Sequence, residues 1–253
     1  TYETVDVPAE EDADAFLPPY QATNCFDFEH PKNIGYSAGP DYNRYFKYYE
    51  HRDMLGAFEA IDRVEARFAE CFGRAYTGPI EAVSCDDAEA VLVTLGSIAG
   101  LARESVARLR EQGKRVGLLR IRYMRPFPAK LIAEALAGAA AVGVLEKDIS
   151  FGAEGTVFTN VNSALQQAGC TMPTFNFIGG LGGDDITSAQ MDVMFDALLD
   201  SAGERGLDAA AGRSCDDAPA GQGAGLARVS FLGIDFPVAS QPACGDDCEE
   251  GAR

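Results

Sequence analysis

Basic residues are scarce in this chain, with 21 Lys and Arg against 39 Asp and Glu among 253 residues, a formal net charge of −18. A polyanionic surface repels phosphate backbones, and no basic arm or aromatic-basic patch is present, so nucleic acid is excluded as a partner class. Histidine is nearly absent as well: His30 and His51 are the only two, so no imidazole is available after residue 51. No apolar run is long enough to span a bilayer, which argues against a membrane role. The first sixteen residues are acidic, not basic, which gives the expectation of no signal peptide or transit segment. Thr1 in place of Met gives the further expectation that an upstream part has been removed. Cysteine does not pair in motifs. Cys25, Cys71, Cys85, Cys170, Cys215, Cys244 and Cys248 are odd in number, scattered, and include no Cys-x-x-Cys, which points to a reducing cytoplasm and not to a secreted disulfide framework. Cys244 and Cys248 could give two thiolates to a metal, but a structural site needs four ligands and neither His is near, so a mobile tail is the preferred reading.

The charge is uneven. Residues 1–87 hold 18 acids and 7 bases, residues 88–200 hold 12 and 10, and residues 201–253 hold 9 and 4. The nearly neutral centre is also the periodic part. Apolar runs at Ala90–Gly96, Val116–Arg122, Ala141–Glu146 and Thr174–Ile178 are each followed by an amphipathic pattern. Repeated strand–helix units with continuous apolar strands predict a doubly wound parallel α/β sheet over 88–205. Val229–Ile234 could add an edge strand, and the remainder of 206–253 reads as a flexible acidic tail. Residues 1–50, rich in Pro, Asp, Asn and Tyr, read as an irregular segment that wraps over a missing partner. Leu55, Phe58, Ile61, Val64, Phe68 and Phe72 recur at helical steps and predict one linker helix over 51–73, ended by Gly73. The first domain boundary is therefore expected at 87.

In open parallel sheets, chemistry gathers at the carboxyl ends of the strands. Ser97 could be a nucleophile, but with no His beyond residue 51 it reads as a helix cap. Arg125, in the Arg-Pro-Phe-Pro stretch, is held in a stiff bend suited to an anion or, preferably, to a structural ion pair, with Pro128 in the first turn of the next helix. Glu146 and Asp148 are paired acids that could do acid–base work, although neighbouring strand residues face opposite ways. Gly152 and Gly155 could cradle an anion or simply permit packing, and the nearby acids favour packing. The run Gly179–Gly183, followed by Asp184 and Asp185, resembles a nucleotide loop but fails the spacing G-x-G-x-x-G and follows the last strand of the set. Thr187 and Gln190 have capping-box spacing, which explains the helix start without a ligand.

Taken in order, the segments 87–97, 113–122, Arg125–Pro128, 144–147, 150–155 and 180–187 resemble the second domain of pyruvate:ferredoxin oxidoreductase and its relatives. Phe16-Leu-Pro-Pro-Tyr20, Gly39-Pro-Asp-Tyr42, His51-Arg-Asp-Met54 and Phe72-Gly-Arg74 resemble the segment that closes the family's first domain. The resemblance covers about residues 14–200 and includes a likeness to the C-terminal domain of transketolase-like enzymes. It implies an alpha part of a 2-oxoacid:ferredoxin oxidoreductase that converts a 2-oxoacid, pyruvate by preference, to an acyl-coenzyme A. It further implies thiamine diphosphate, [4Fe-4S] clusters and coenzyme A in the complete enzyme, with ferredoxin or flavodoxin as acceptor. The cofactor-holding half is not in this chain, and no cluster-type cysteine spacing occurs. No catalytic, cofactor-binding or metal residue is therefore carried over. Arg125, Asp184 and Asp185 remain as candidate packing and interface residues, with the other domains or subunits and a second copy of the chain as expected partners. Two rival readings stand beside this one: a nucleotide-binding module cradling phosphate at Gly179–Gly183, and a scaffold that binds partners through its acidic tail.

Overall fold

A computed structural model describes residues 6–22, 25–33, 35, 37–76, 78–210, 228–234 and 236. The chain divides into two compact units, residues 1–78 and 79–253.

In the first unit, α1 (Glu10–Phe16) opens with Glu10, Glu11 and Asp12, whose charges favour the positive end of the helix dipole. The long α2 (Pro40–Phe72) has Gly39 at its N-cap, Pro40 as its first helical residue and Asp41 in its first turn. Both helices correct the expectation of an irregular segment to residue 50. The stretch Gly39-Pro-Asp-Tyr42 is a helix start and not a turn, and the pairs Arg44–Asp41 at 3.0 Å and Lys47–Glu50 at 2.7 Å support the first turns. Gly73, left-handed at φ 65°, ends α2 and donates to the Ala69 carbonyl, where the stop is expected. Phe16 packs edge-on against Phe68 and Phe72, with centroids 5.6 and 5.3 Å away, and Arg67 lies over the Phe16 ring and donates to the Ala15 carbonyl.

The second unit is built on six strands: β1 (Ile80–Val83), β2 (Ala90–Leu95), β3 (Val116–Ile121), β4 (Ala141–Glu146), β5 (Thr174–Ile178) and β6 (Val229–Phe231). Their order across the sheet is β1-β3-β2-β4-β5-β6, and only β1 runs antiparallel to its neighbour. The four central strands and the edge strand β6 lie where the apolar runs predict them. β1 is unpredicted: Ile-Glu-Ala-Val is too short and too mixed to stand out, and its pairing with β3 moves the boundary from 87 to Gly78/Pro79.

Helices α3 (Ile98–Glu111), α4 (Ala129–Leu136), α5 (Thr156–Gln167) and α6 (Ser188–Ala210) follow β2, β3, β4 and β5. Alternate strand residues divide between the two faces. Val91, Val93, Leu119, Val142 and Val144 pack with Ile132, Leu136, Phe158 and Val161 of α4 and α5. Ala90, Leu92, Leu118 and Leu145 pack with Val106, Leu109, Met194, Phe195 and Leu198 of α3 and α6. Both faces are thus covered, which is the doubly wound arrangement. Arg108 reinforces α3 against α6 with a two-pronged pair to Asp192 at 2.8 and 2.6 Å. Gly143 in the centre of β4 is needed for packing, because a Cβ there would lie 2.7 Å from Phe177 and 2.8 Å from Leu198. Residues 206–210, expected to start the acidic tail, continue α6 instead, while residues 211–227 and 237–253, with the Cys244/Cys248 pair, lie outside the described residues.

Candidate functional site

The parallel strands run β3-β2-β4-β5-β6, so the chain reverses its direction of progress between β2 and β4. Carboxyl ends around such a switch point are where open α/β sheets hold ligands. In this protein the ends of β4 and β5 are occupied by the chain's own side chains.

Glu146, the last residue of β4, is only 4% exposed. Its Oε2 accepts from the Val157 amide at 2.8 Å, and its Oε1 accepts from the Phe158 amide at 3.1 Å and from Asn176 Nδ2 at 2.8 Å. Asn176, fully buried in the middle of β5, also accepts from the Gly155 amide at 2.8 Å and donates to the Val144 carbonyl. A buried carboxylate therefore sits at the start of α5, where orphan N–H groups and the helix dipole favour an anion. Burial pushes the Glu146 carboxyl above its ordinary range. The Val157 and Phe158 amides and the Asn176 side chain oppose that rise, and the negative charge of Asp148 adds to it. Gly155 makes the arrangement possible, since a Cβ there would fall 2.0 Å from Glu146 Oε1. The helix start at Gly155 is thus an anion cradle whose anion is intramolecular. Gly152, by contrast, serves a left-handed turn at φ 79°, with nothing within 4 Å of a Cβ.

The first two glycines after β5 are filled in the same way, while Gly182 and Gly183 have nothing within 4 Å of a Cβ. A Cβ at Gly179 would lie 2.5 Å from Leu232, and one at Gly180 would lie 2.7 Å from the Lys147 stem. The space a diphosphate would need beside these two residues is occupied by side chains. The following helix begins on its own cap, as its spacing predicts: Gln190 donates from its backbone to Thr187 Oγ1 at 3.3 Å, and the Thr187 amide donates to Gln190 Oε1 at 2.7 Å. Thr187→Ala should lower stability by about 1 kcal/mol in chemical denaturation, with the slope unchanged.

The other candidates are not drawn together into a reactive set. Ser97 stands at the N-cap of α3 but in helical conformation and without a capping hydrogen bond, which corrects its expected role; a serine cap needs extended backbone to turn its oxygen onto the first amides. Pro128 occupies the N-cap of α4, one residue before the expected first turn. Arg125 is exposed, donates to the Met124 carbonyl at 2.6 Å and leans over the Phe127 ring. It forms no ion pair with a described carboxylate. Asp184 and Asp185 are exposed after the turn Leu181–Gly183. At the opposite end of β5 a groove of about 700 Å³ is lined by Asn162, Gln166, Cys170, Thr174 and Arg228 among others, a set without a base or an activated nucleophile.

Among the described residues, no group of three or more His, Cys, Asp or Glu converges on a point that could hold a metal. Cys25 and Cys71 are exposed, while Cys85 is buried, donates to the Leu118 carbonyl and has its thiol pushed up to about 11 by burial. These residues do not fit an iron–sulfur cluster, and the filled helix start of α5 does not fit a diphosphate. Alkylation at neutral pH should label Cys25 and Cys71 in the folded protein and leave Cys85 unlabelled until denaturation, as mapped by mass spectrometry. Asn176 and the cap made by Glu146 are the features that sequence reasoning misses. The available signal is a polar residue inside a buried apolar strand, Thr-Phe-Asn-Phe-Ile, and an acid closing another.

Residues 88–191 match the family model described as Pyruvate:ferredoxin oxidoreductase core domain II. The pyruvate synthase subunit PorA of Methanothermobacter thermautotrophicus is 40% identical over 192 residues, covering 76% of this chain and 49% of that subunit. The ketoisovalerate oxidoreductase subunit VorA of Pyrococcus abyssi is 38% identical over 188 residues, covering 74% and 48%. Among solved structures, the 2-oxoglutarate:ferredoxin oxidoreductase from Magnetococcus marinus aligns with TM-score 0.38 and 18% identity, over 57% of this chain and 23% of that one. The chain spans about half the length of the curated relatives it matches.

Proposed function

Through residues 88–191 the chain belongs to the pyruvate:ferredoxin oxidoreductase core domain II family, and from that premise we propose that it is the noncatalytic, structural and interface portion of the alpha part of a 2-oxoacid:ferredoxin oxidoreductase. The complete enzyme would decarboxylate a 2-oxoacid and pass the electrons to ferredoxin or flavodoxin, releasing an acyl-coenzyme A, in the cytoplasm. Thiamine diphosphate and [4Fe-4S] clusters would supply that chemistry from other parts of the enzyme. Pyruvate is the favoured substrate because residues 16–76 resemble the pyruvate members; 2-oxoisovalerate and 2-oxoglutarate are the rivals, and pyruvate and ketoisovalerate relatives stand at similar identity.

The observation that carries this reading is the state of the strand ends. The end of β4 is closed by Glu146 on the Val157 and Phe158 amides and Asn176, and the end of β5 by Leu232 and Lys147 against Gly179 and Gly180, while exposed apolar and charged residues stand on the loops beyond. Phe151, Leu181 and Ile234 are 95%, 43% and 85% exposed on the loops after the neighbouring strands β4, β5 and β6. Beside them stand Asp184 and Asp185, and after β3 stands Arg125. Such a rim suits contact with other domains, other subunits or a second copy of the chain. The nucleotide-module reading loses ground to the filled glycines at 179 and 180.

The test is to produce the chain together with the remaining parts of the enzyme and to follow coenzyme A-dependent dye reduction. Pyruvate-dependent reduction by the assembly, with none from the chain alone, is expected; turnover by the chain alone would overturn the reading. Joint replacement Arg125→Ala, Asp184→Asn and Asp185→Asn should weaken co-purification of the parts. Each change should alter the stability of the chain by no more than about 0.5 kcal/mol.

A further inference from the structure

We propose that the N-terminal half of α2 is the surface through which two copies of this chain associate. The proposal concerns the first unit alone and holds whichever enzyme the chain serves. None of the 33 residues of α2 is buried. Near its C-terminal end, Phe68 and Phe72 are covered by Phe16 of α1. Towards its start, Tyr42, Tyr45, Phe46 and Tyr49 recur at the steps of one helix face, within about 100° of its circumference. Tyr48 flanks that face, and its ring meets Tyr49 edge-on with centroids 5.4 Å apart. Arg52 lies over the Tyr49 ring, 4.7 Å from its centroid, and helps to hold it in place.

Area and charge both point to a second copy as the occupant. The aromatic side chains Tyr42, Tyr45, Phe46, Tyr48 and Tyr49 are 46–63% exposed. At about 200 Å² for a whole aromatic side chain, that leaves roughly 500 Å² of ring surface open on each copy. Two such faces together bury about 1,000 Å², the size at which specific interfaces begin. Each Lys and Arg of the stretch is already neutralised within the helix: Arg44 pairs with Asp41 at 3.0 Å, Lys47 with Glu50 at 2.7 Å and Arg52 with Asp53 at 2.9 Å. The rest of residues 1–87 holds 15 acids against 4 bases, so two copies repel each other least along this strip. A strongly charged partner of either sign finds little to neutralise there, whereas an identical strip meets it without a charge penalty. The face is also self-complementary, as a two-fold contact requires. About an axis between Tyr45 and Phe46, antiparallel helices bring Tyr42 of one copy to Tyr49 of the other, and Tyr45 to Phe46.

The test is sedimentation velocity of the whole chain between about 1 and 100 μM, where an interface of this modest size should pass from monomer to dimer. Tyr45→Glu combined with Tyr49→Glu sets like charges against each other across the axis. It should raise the dissociation constant of the dimer at least about tenfold, with the far-ultraviolet circular dichroism unchanged. Tyr42→Glu combined with Phe46→Glu, on the same face, should do the same, so the outcome does not hang on the folding of one variant. Met54→Glu, on the far side of the helix, should leave the dimer intact. A chain that stays monomeric at the highest concentration would overturn the proposal, as would a dimer that both glutamate pairs leave unchanged. Capture of a monomeric chain by the remaining parts of the enzyme, lost in the Tyr45 and Tyr49 variant, would assign the face to them and overturn it equally.

Discussion

Phe177→Ala should destabilise the protein by about 3–5 kcal/mol. Phe177 is fully buried in β5, between β4 and β6, on the sheet face covered by α3 and α6. The core has been shaped around its ring. Gly143 on the adjacent strand leaves out a side chain where Phe177 lies, and the Phe236 ring meets Phe177 edge-on at 5.2 Å. Truncation removes the ring and leaves a cavity whose walls, Leu198 and the backbone of two strands, have little freedom to collapse. Denaturant titration followed by circular dichroism should show the midpoint falling with the slope unchanged. A loss under about 1 kcal/mol would mean that this face repacks, contrary to the interlocking of Gly143, Phe177 and Phe236.

Gly155→Ala is the second large effect, expected at about 3–5 kcal/mol by expulsion of a buried charge from its partners. The new Cβ would stand 2.0 Å from Glu146 Oε1, so the carboxylate must leave the donors from Val157, Phe158 and Asn176. Gly152→Ala provides the control. That residue is three positions away in the same loop, at φ 79° with open space around it, and alanine there should cost only the left-handed backbone penalty of about 1–2 kcal/mol. Gly155 is extended at φ −69°, so alanine carries no backbone penalty there, and a loss at 155 no larger than at 152 would show that the carboxylate yields without cost.

The doubly wound sheet was legible because its strands are continuous apolar runs and its helices are amphipathic. Val116-Gly-Leu-Leu-Arg-Ile121 and Ala141-Val-Gly-Val-Leu-Glu146 carry their burial in their composition. The start of α2 was obscured because Tyr, Asn and Asp weaken helix propensity, and the stretch containing them looks like a loop until Pro40 and Asp41 are read as first-turn residues. β1 was hidden because a four-residue edge strand takes its identity from the partner it pairs with. The cap on α5 was half visible. Gly155 and Glu146 both attracted attention, but sequence spacing cannot show that residues nine apart meet, or that Asn176 completes the set from another strand. Tertiary contact decides such features, and the local pattern leaves them open.

Among the described residues, the start of α5 is occupied by Glu146, and Gly179 and Gly180 after β5 are packed against Leu232 and Lys147, which leaves no space for a diphosphate beside them. Calorimetric titration of the chain with thiamine diphosphate and magnesium tests this most directly. A noncatalytic domain closed by Glu146, Lys147 and Leu232 gives no stoichiometric binding heat; a saturable isotherm near one equivalent would contradict it.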